Sequence, residues 1–357
     1  MEVCEKEEGQ NFNQTMIKTS VVILNWNGAA LLKKFLPTVL MHTQTENCEV
    51  VVADNNSTDN SVALLKEQFP SVKLILLDKN YGFAEGYNRA LQQVRSTYVV
   101  LLNSDIETSP GWISSLIEHL ERHPQTAAVQ PKILSYTDKN MFEYAGAAGG
   151  YIDRYAYPFC RGRILDVVEE DKGQYNSVEQ IFWATGACLC MRRADYMDAG
   201  GLDSGFFAHM EEIDLCWRLQ SRGKKIVCVP QSHVYHVGGA SLHHESPRKT
   251  HLNFRNNLLM IYKNATLLRL IETLTVRFVL DMAAAIHFLV QKKTAHAQSV
   301  LNAYSDYIKM RSAFKHKRKE NLAKTIQPKL SQQYNGSILL EYYLKKKKRF
   351  SDIFISG

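Results

Sequence analysis

The chain lacks a GxGxxG turn and a GxxxxGK[ST] loop, which excludes a dinucleotide-binding Rossmann turn and a P-loop ATPase. Its 7 cysteines form no CxxC pair, which argues against a structural zinc site. Cys188 and Cys190, two positions apart, would share one face of a strand and are read as reduced core thiols. The stretch Met1–Lys18 is polar and acidic, with no apolar core of signal-peptide length, and a cytoplasmic location is expected. No repeat of solenoid period is visible. Nor is there an uninterrupted run suited to a membrane span. Within Leu267–Val290, Arg269, Glu272, Arg277 and Asp281 intervene, and charge at a bilayer's centre is costly. An amphipathic helix, packed on the domain or lying on a bilayer, is expected there.

What is present is ample for folding. The 357 residues have room for one large or two ordinary domains, and 45% hydrophobic content is ordinary for a folded chain. The net charge of +7 is unevenly placed. From Arg255 onward 19 Lys or Arg face 6 Asp or Glu, a net +13, so the preceding residues are net −6. The basic density peaks at 315–319 and 345–349. Such blocks point to an acidic partner (a membrane surface, a nucleic acid or a polyanion) or to a solvated tail.

The first half alternates strand and helix patterns. Strands are predicted near 20–25, at 49–53, 72–77 and 97–102, with helices over 29–41, to Phe69, to Val94 and over 111–122. Repeated βαβ units imply a doubly wound, mostly parallel α/β sheet. Residues 128–180 are looser, with short strands, glycines and Tyr/Arg-rich loops, and read as a substrate-facing insertion. Regularity returns with a strand over 181–191, a helix over 213–221 and a strand over 225–229. From about 254 the chain reads as helical. The expected division is a disordered tail over 1–18, an α/β domain over 19–253 and a basic helical extension over 254–357.

Three apolar runs end in oxygen-rich tips: Asn25-Trp26-Asn27, Asp54-Asn55-Asn56-Ser57 and Asn103-Ser104-Asp105. Ligands of open α/β sheets bind at the carboxyl ends of the strands, so these tips predict a nucleotide crevice. A divalent ion held by Asp105 would replace the missing glycine-rich cradle. Asp54 can accept from a ribose hydroxyl or base N–H, or, with Ser57, merely cap the next helix. The segment 80–89, with Asn80, Gly82 and Asn88, enters a helix whose N-terminus favours anions. Glu211, Glu212 and Asp214 crowd another helix start, where a carboxylate facing Asp105 would suit a general base. His236 precedes two glycines and can ligate Mn²⁺ or a similar ion. Tyr151, Tyr155 and Trp183 are either rings that stack on a ligand or core packing.

Taken in order, the motifs at 22–27, 53–59, 80–84, 101–105, 185–187, 211–218 and 236–241 resemble glycosyltransferase family 2, the GT-A fold, in its bacterial rhamnosyltransferase-like branch. The resemblance spans about Thr19 to Ser241. It implies inverting transfer of a sugar, rhamnose for instance, from a dTDP- or UDP-sugar to a glycan or lipid-linked acceptor in cell-surface polysaccharide synthesis. It implies Mg²⁺ or Mn²⁺ at Asp105 and His236. Donor contacts are implied at Asn25, Asp54, Asn80, Gly82, Asn88, Asn103 and Ser104, and a base at Glu212 or Glu211. The basic helices would attach the enzyme peripherally at the inner face of the plasma membrane, or form a dimerisation surface; no nucleic acid partner is expected. Two other classes stay open: a nucleotidyltransferase acting on sugar phosphates, and a non-catalytic polyanion-binding protein.

Overall fold

The computed structural model describes residues 17–44, 47–238 and 246–354. The first half is a run of βα units: β1 (Thr19–Asn25), α1 (Ala29–His42), β2 (Cys48–Asp54), α2 (Ser61–Gln68), β3 (Lys73–Leu76), α3 (Gly82–Gln92) and β4 (Tyr98–Leu102). These strands lie parallel in the order β3-β2-β1-β4. All five residues of β4 are buried, as expected of a strand covered on both faces. Because β1, β2 and β4 run the same way side by side, their polar tips reach one edge together.

The chain continues through β5 (Ile106–Thr108), α4 (Trp112–Arg122) and β6 (Thr126–Ser135). Short strands follow: β7 (Gly150–Asp153), β8 (Pro158–Cys160), β9 (Arg163–Ile164), β10 (Val167–Val168) and β11 (Glu179–Gln180). Then come β12 (Cys188–Arg192), α5 (Arg193–Asp198), α6 (Glu211–Ser221) and β13 (Lys225–His236). β12 inserts antiparallel between β4 and β6, so the mostly parallel sheet carries one reversed central strand. Cys188 and Cys190 share one buried face of it, and Leu189 and Met191 the other.

Two strand assignments change. The strand expected over 181–191 is split, because the backbone of Trp183 pairs with Gly150 instead, with N–H···O distances of 3.0 and 3.1 Å. The strand expected to end at 229 runs on to His236: its register shifts between Cys228 and His233, around Pro230, and pairing with β6 then resumes.

The C-terminal part contains α7 (Pro247–Asn264), α8 (Leu267–Val290), α9 (Thr294–Met310), α10 (Lys315–Ala323), β14 (Gln333–Tyr334), α11 (Ile338–Tyr343) and α12 (Phe350–Ile353). The boundary expected at 253 falls inside α7. Nor is this part purely helical: β14 pairs in parallel with β7 and completes the small sheet β10-β9-β8-β7-β14. Phe350 and Phe354 stack 4.4 Å apart and pack on Tyr151 and Phe159.

The strongest tie between α7 and the sheet domain is ionic. The Lys263 ammonium donates to Asp203 at 2.6 Å and to Asp214 at 2.7 Å, all three groups being buried. Arg218 and Asn264 complete the shell of Asp214 at 2.9 and 2.7 Å. Removing one member of such a group leaves a buried charge uncompensated. Lys263→Met should therefore lower the unfolding free energy by about 3–5 kcal/mol. Urea denaturation measures this, and a loss below about 1 kcal/mol would show that the network contributes little.

Candidate active site

At the ends of β1 and β2 the side chains lock the strand tips together. Asn25 Nδ2 donates to Asp54 Oδ2 at 3.0 Å and to Ser57 Oγ at 3.2 Å, while the Ser57 N–H donates to Asp54 Oδ1 at 2.8 Å. Asp54 therefore does not cap α2; Asp59 Oδ1 takes the Ser61 N–H at that helix start, at 3.0 Å. Asn25 Oδ1 is buried and has no partner within the chain, the kind of orphan a ligand donor satisfies. Trp26, 54% exposed, projects beside it. Asn55 orders the next loop, accepting the Tyr81 N–H at 2.9 Å and donating to Asn80 Oδ1 at 3.1 Å.

Beyond β4, Asp105 is buried and its Oδ1 lies 3.2 Å from His236 Nε2, with Asn103 Nδ2 3.4 Å from the same nitrogen. The other ring nitrogen of His236 lies 3.5 Å from Glu143 Oε1. Burial alone would lower the His236 pKa, but the Asp105 and Glu143 carboxylates outweigh it and push it up to about 10. A carboxylate behind the second nitrogen is the arrangement that orients a metal-binding imidazole. Two cis ligands at about 2.1 Å from an octahedral ion stand about 3 Å apart, which the Asp105–His236 separation fits. No cluster of three His, Cys, Asp or Glu ligands occurs among the described residues, so Asp105 and His236 would hold a cation as a pair. Gly239 to Ser241, the end of the motif that begins at His236, lie outside the described residues.

The third component is the start of α6. It follows a loop in which Phe207, His209 and Met210 all hold left-handed backbone, with φ of 66°, 70° and 72°. Non-glycine residues resist that conformation, at a cost on the order of 1–3 kcal/mol each. The loop is held from two sides. The carbonyl of Phe207 accepts the N–H groups of Phe83 and Ala84 at 3.0 and 3.3 Å. Asn256 of α7 donates to the carbonyls of Phe206, Ala208 and His209 at 3.0, 2.8 and 2.8 Å. Gly82, at φ 73°, is where the approach is closest, since a Cβ there would run into the Phe207 ring.

The loop delivers two glutamates with different surroundings. Glu211 is fully buried; burial and the neighbouring Glu212 charge hold its carboxyl well above the usual range. Glu212 is half-buried, and burial raises it to about 7. Its Cβ lies 4.0 Å from where a Cβ on Gly186 would stand, and the next residue's carbonyl, Ala187 O, accepts the Asn103 N–H at 2.9 Å. The segment 185–187 thus links Glu212 to the Asn103–Asp105 tip. Asp214, the third acid, is spent on Arg218, Lys263 and Asn264.

Several expected contacts are corrected. Asn88 does not face a donor: its Oδ1 takes the Tyr196 hydroxyl at 2.6 Å and the Leu202 N–H at 3.0 Å, and its Nδ2 donates to Leu202 O at 2.8 Å. The first N–H groups of α3 are not open to an anion, since the Phe207 carbonyl holds them. Asn80 Oδ1 is likewise engaged, by Asn55 and by the Gly82 N–H at 2.8 Å. Tyr151 and Trp183 are core residues, 8% and 4% exposed, with the indole N–H donating to Tyr151 O at 2.9 Å. Ser104 is half-buried, its Oγ 3.8 Å from where a Cβ on Gly28 would stand. Glu143 and Asn256 are contributions that the sequence reading missed. Asn256-Asn257, two poor helix formers side by side within a helix, was the available signal for the second; Glu143 gave none.

Residues 20–169 match the glycosyl transferase family 2 profile. Over that span, less than half of its length, the chain is similar to family 2 glycosyl transferases. It is 26% identical over 231 residues to the N-acetylglucosaminyl-diphospho-decaprenol L-rhamnosyltransferase of Mycobacterium tuberculosis, covering 60% of this chain and 75% of that one. Among solved structures it is similar to GalNAc-T7 with UDP, GalNAc and Mn²⁺, with TM-score 0.55 and 17% identity. That match covers 70% of this chain and 48% of the other. It is also similar to the mannosyltransferase PcManGT of Pyrobaculum calidifontis with GDP-Man and Mn²⁺, with TM-score 0.52 and 13% identity, covering 83% and 88%. The fold of this chain is therefore GT-A.

The raised Glu211 carboxyl carries a stability signature. A carboxyl whose folded pKa exceeds its unfolded value opposes folding as pH rises above that unfolded value, and has no effect below it. Glu211→Gln removes the ionisation. It should raise Tm at pH 8, with the gain shrinking as pH falls and vanishing near 4.5, the ordinary glutamate value. Thermal melts across that range check it; a pH-independent difference would contradict the assignment.

Proposed function

We propose that the glycosyltransferase moves a sugar from a nucleoside diphosphate donor to an acceptor hydroxyl with inversion, using Glu212 as general base. The observation that carries this reading is the pairing of Asp105 with His236 at the tip of β4, linked through 185–187 to a glutamate raised to about 7. A base works best when its pKa lies near the working pH, and burial has put Glu212 there. Glu211 stays protonated behind it, so only one of the two is charged and facing the crevice.

The step needs one displacement. As the acceptor oxygen bonds to the anomeric carbon, its proton passes to Glu212. The bond from that carbon to the diphosphate oxygen breaks, and its electron pair leaves with the diphosphate. Asn25, Asp54 and Trp26 stand where the nucleoside would lie, Asn25 with its unpartnered oxygen. Asp105 and His236 would hold a divalent cation, which when bound neutralises charge on the diphosphate. The Mn²⁺ held by both structural neighbours supports that group, and their UDP and GDP-Man support a nucleoside diphosphate donor, which we take to be a dTDP- or UDP-sugar. The relative, a rhamnosyltransferase named for a diphospho-decaprenol acceptor, supports rhamnose as the sugar and a lipid-linked acceptor. A cell-surface polysaccharide is the product class this suits. Neither a nucleotidyltransferase nor a non-catalytic polyanion binder is favoured beside the family match.

Glu212→Gln should retain donor binding and lose turnover by ~10²–10⁴-fold, the usual contribution of a general base. In the unaltered enzyme kcat/KM should rise with pH through about 7 as Glu212 ionises. Steady-state kinetics on a panel of nucleotide sugars reads both, and near-normal turnover in the variant would remove Glu212 from this role. Asp105→Ala should abolish the Mn²⁺-dependent part of donor affinity, measured by calorimetry with and without the ion. Unchanged metal dependence would move the cation elsewhere.

A further inference from the structure

α8 is built inside out. Its two central charged side chains, Arg277 and Asp281, face the protein, while Arg269 and Glu272 are part-exposed. Arg277 and Asp281 are buried, 3.1 Å apart, with Asp281 taking the Tyr157 and Tyr304 hydroxyls at 2.7 and 2.9 Å. Arg277 also donates to Asn257 Oδ1 at 2.8 Å. Glu272 pairs with Arg154 and lies 3.5 Å from Arg269. The outward face carries one acid, the part-exposed Glu272 held by Arg154, and is otherwise formed by exposed Leu268, Ile271, Phe278, Val279, Ile286 and Val290, among others. Leu268, Val279 and Ile286 align along it at helical spacing, 83%, 63% and 61% exposed. The patch continues onto α9, where exposed Leu301 and Ile308 flank Tyr304, whose ring meets Phe278 at 5.6 Å. Over 24 residues the helix is about 36 Å long, so this apolar surface far exceeds a scattered leucine.

We propose that this face docks on an anionic lipid bilayer, with α8 lying in the interface rather than crossing it. A crossing helix would strip Arg277 and Asp281 from their partners, which belong to the folded domain. The rim selects the occupant. Exposed Lys292 and Lys293 close one end of the α8–α9 hairpin, and exposed Lys309 and Arg311 the other. A second copy would bring the same +13 region against itself, whereas anionic headgroups neutralise it. The rim is separate from the blocks at 315–319 and 345–349; its Lys309 lies 3.7 Å from Asp306, and the blocks are partly spent inside the fold. Lys317 pairs with Asp203, Arg318 donates to the carbonyls of Tyr262 and Ala265, and Lys345 and Lys347 pair with Glu341. The proposal deepens the lipid-linked acceptor reading, yet its test uses no catalysis and so can fail separately.

The full chain is floated with phosphatidylcholine vesicles, with and without phosphatidylglycerol, beside the variant Leu268→Glu/Val279→Glu/Ile286→Glu. The original chain should bind the anionic vesicles, and the variant, with unchanged melting, should lose that binding by about tenfold or more. Val279→Trp should blue-shift on binding and be quenched by brominated lipid. Absence of binding, binding untouched by the triple change, or an unshifted indole would each overturn the proposal. So would a dimer, seen by light scattering, that the triple change converts to monomer while the original chain ignores vesicles.

Discussion

The Lys263 ammonium, held between two buried aspartates, fixes where everything else in the site can be. Asp203 lies just before the loop that carries the glutamates, and Asp214 lies one turn into α6, just after it. One cation on α7 therefore grips both ends of the segment that carries Glu211 and Glu212. Asn256, seven residues before Lys263 and so on the same face of α7, takes the loop's carbonyls in between. The left-handed residues of the loop cannot persist on local preference, and these contacts supply the stabilisation that offsets their strain. What the sequence divides into a domain and an extension behaves physically as one frame, because α7 belongs to both.

The same burial that makes this frame firm also separates the two glutamates chemically. In a dry surrounding, adjacent carboxylates cannot both ionise at neutral pH. Glu211, wholly enclosed beside a second carboxyl, is raised well above the ordinary glutamate value, while Glu212, half-buried, is raised to about 7. Environment thus divides the roles of two identical side chains, as it does wherever paired acids work near neutral pH. A similar division holds around His236, where Asp105 faces one ring nitrogen and Glu143 stands behind the other.

Much of the fold was legible because buried parallel strands advertise themselves as β-branched runs, and three of them end in oxygen-bearing residues at one edge. Motif order pointed to Asp105, His236 and Glu212, which sit at strand or helix ends, and the fold pairs the first two at 3.2 Å. Asn88 was misread because an asparagine that closes a turn and one that meets a nucleotide look alike in one dimension. Only its three bonds to Tyr196 and Leu202 tell them apart. Glu143 lies in a stretch without periodicity and pairs across 93 positions of chain, a distance no local pattern reports. β14 is two residues long and takes its register from β7, so nothing in its own sequence marks it as a strand.

α8 shows a deeper limit of periodicity. A stripe of apolar residues at helical spacing has the same signature whether it faces a core or faces away. In the fold the two central charges, Arg277 and Asp281, are on the dry side, matched to Asn257, Tyr157 and Tyr304. That inversion has a mechanical consequence. Asn257 binds Arg277 of α8, and Asn256, its neighbour in α7, binds the loop that presents Glu212. Two adjacent side chains, pointing about 100° apart around one helix, therefore fix the outward apolar face and the loop before α6 to the same stretch of backbone. The loop cannot turn relative to that face without breaking buried hydrogen bonds. Whatever surface α8 rests on, the angle between it and the loop that carries Glu212 is set by α7.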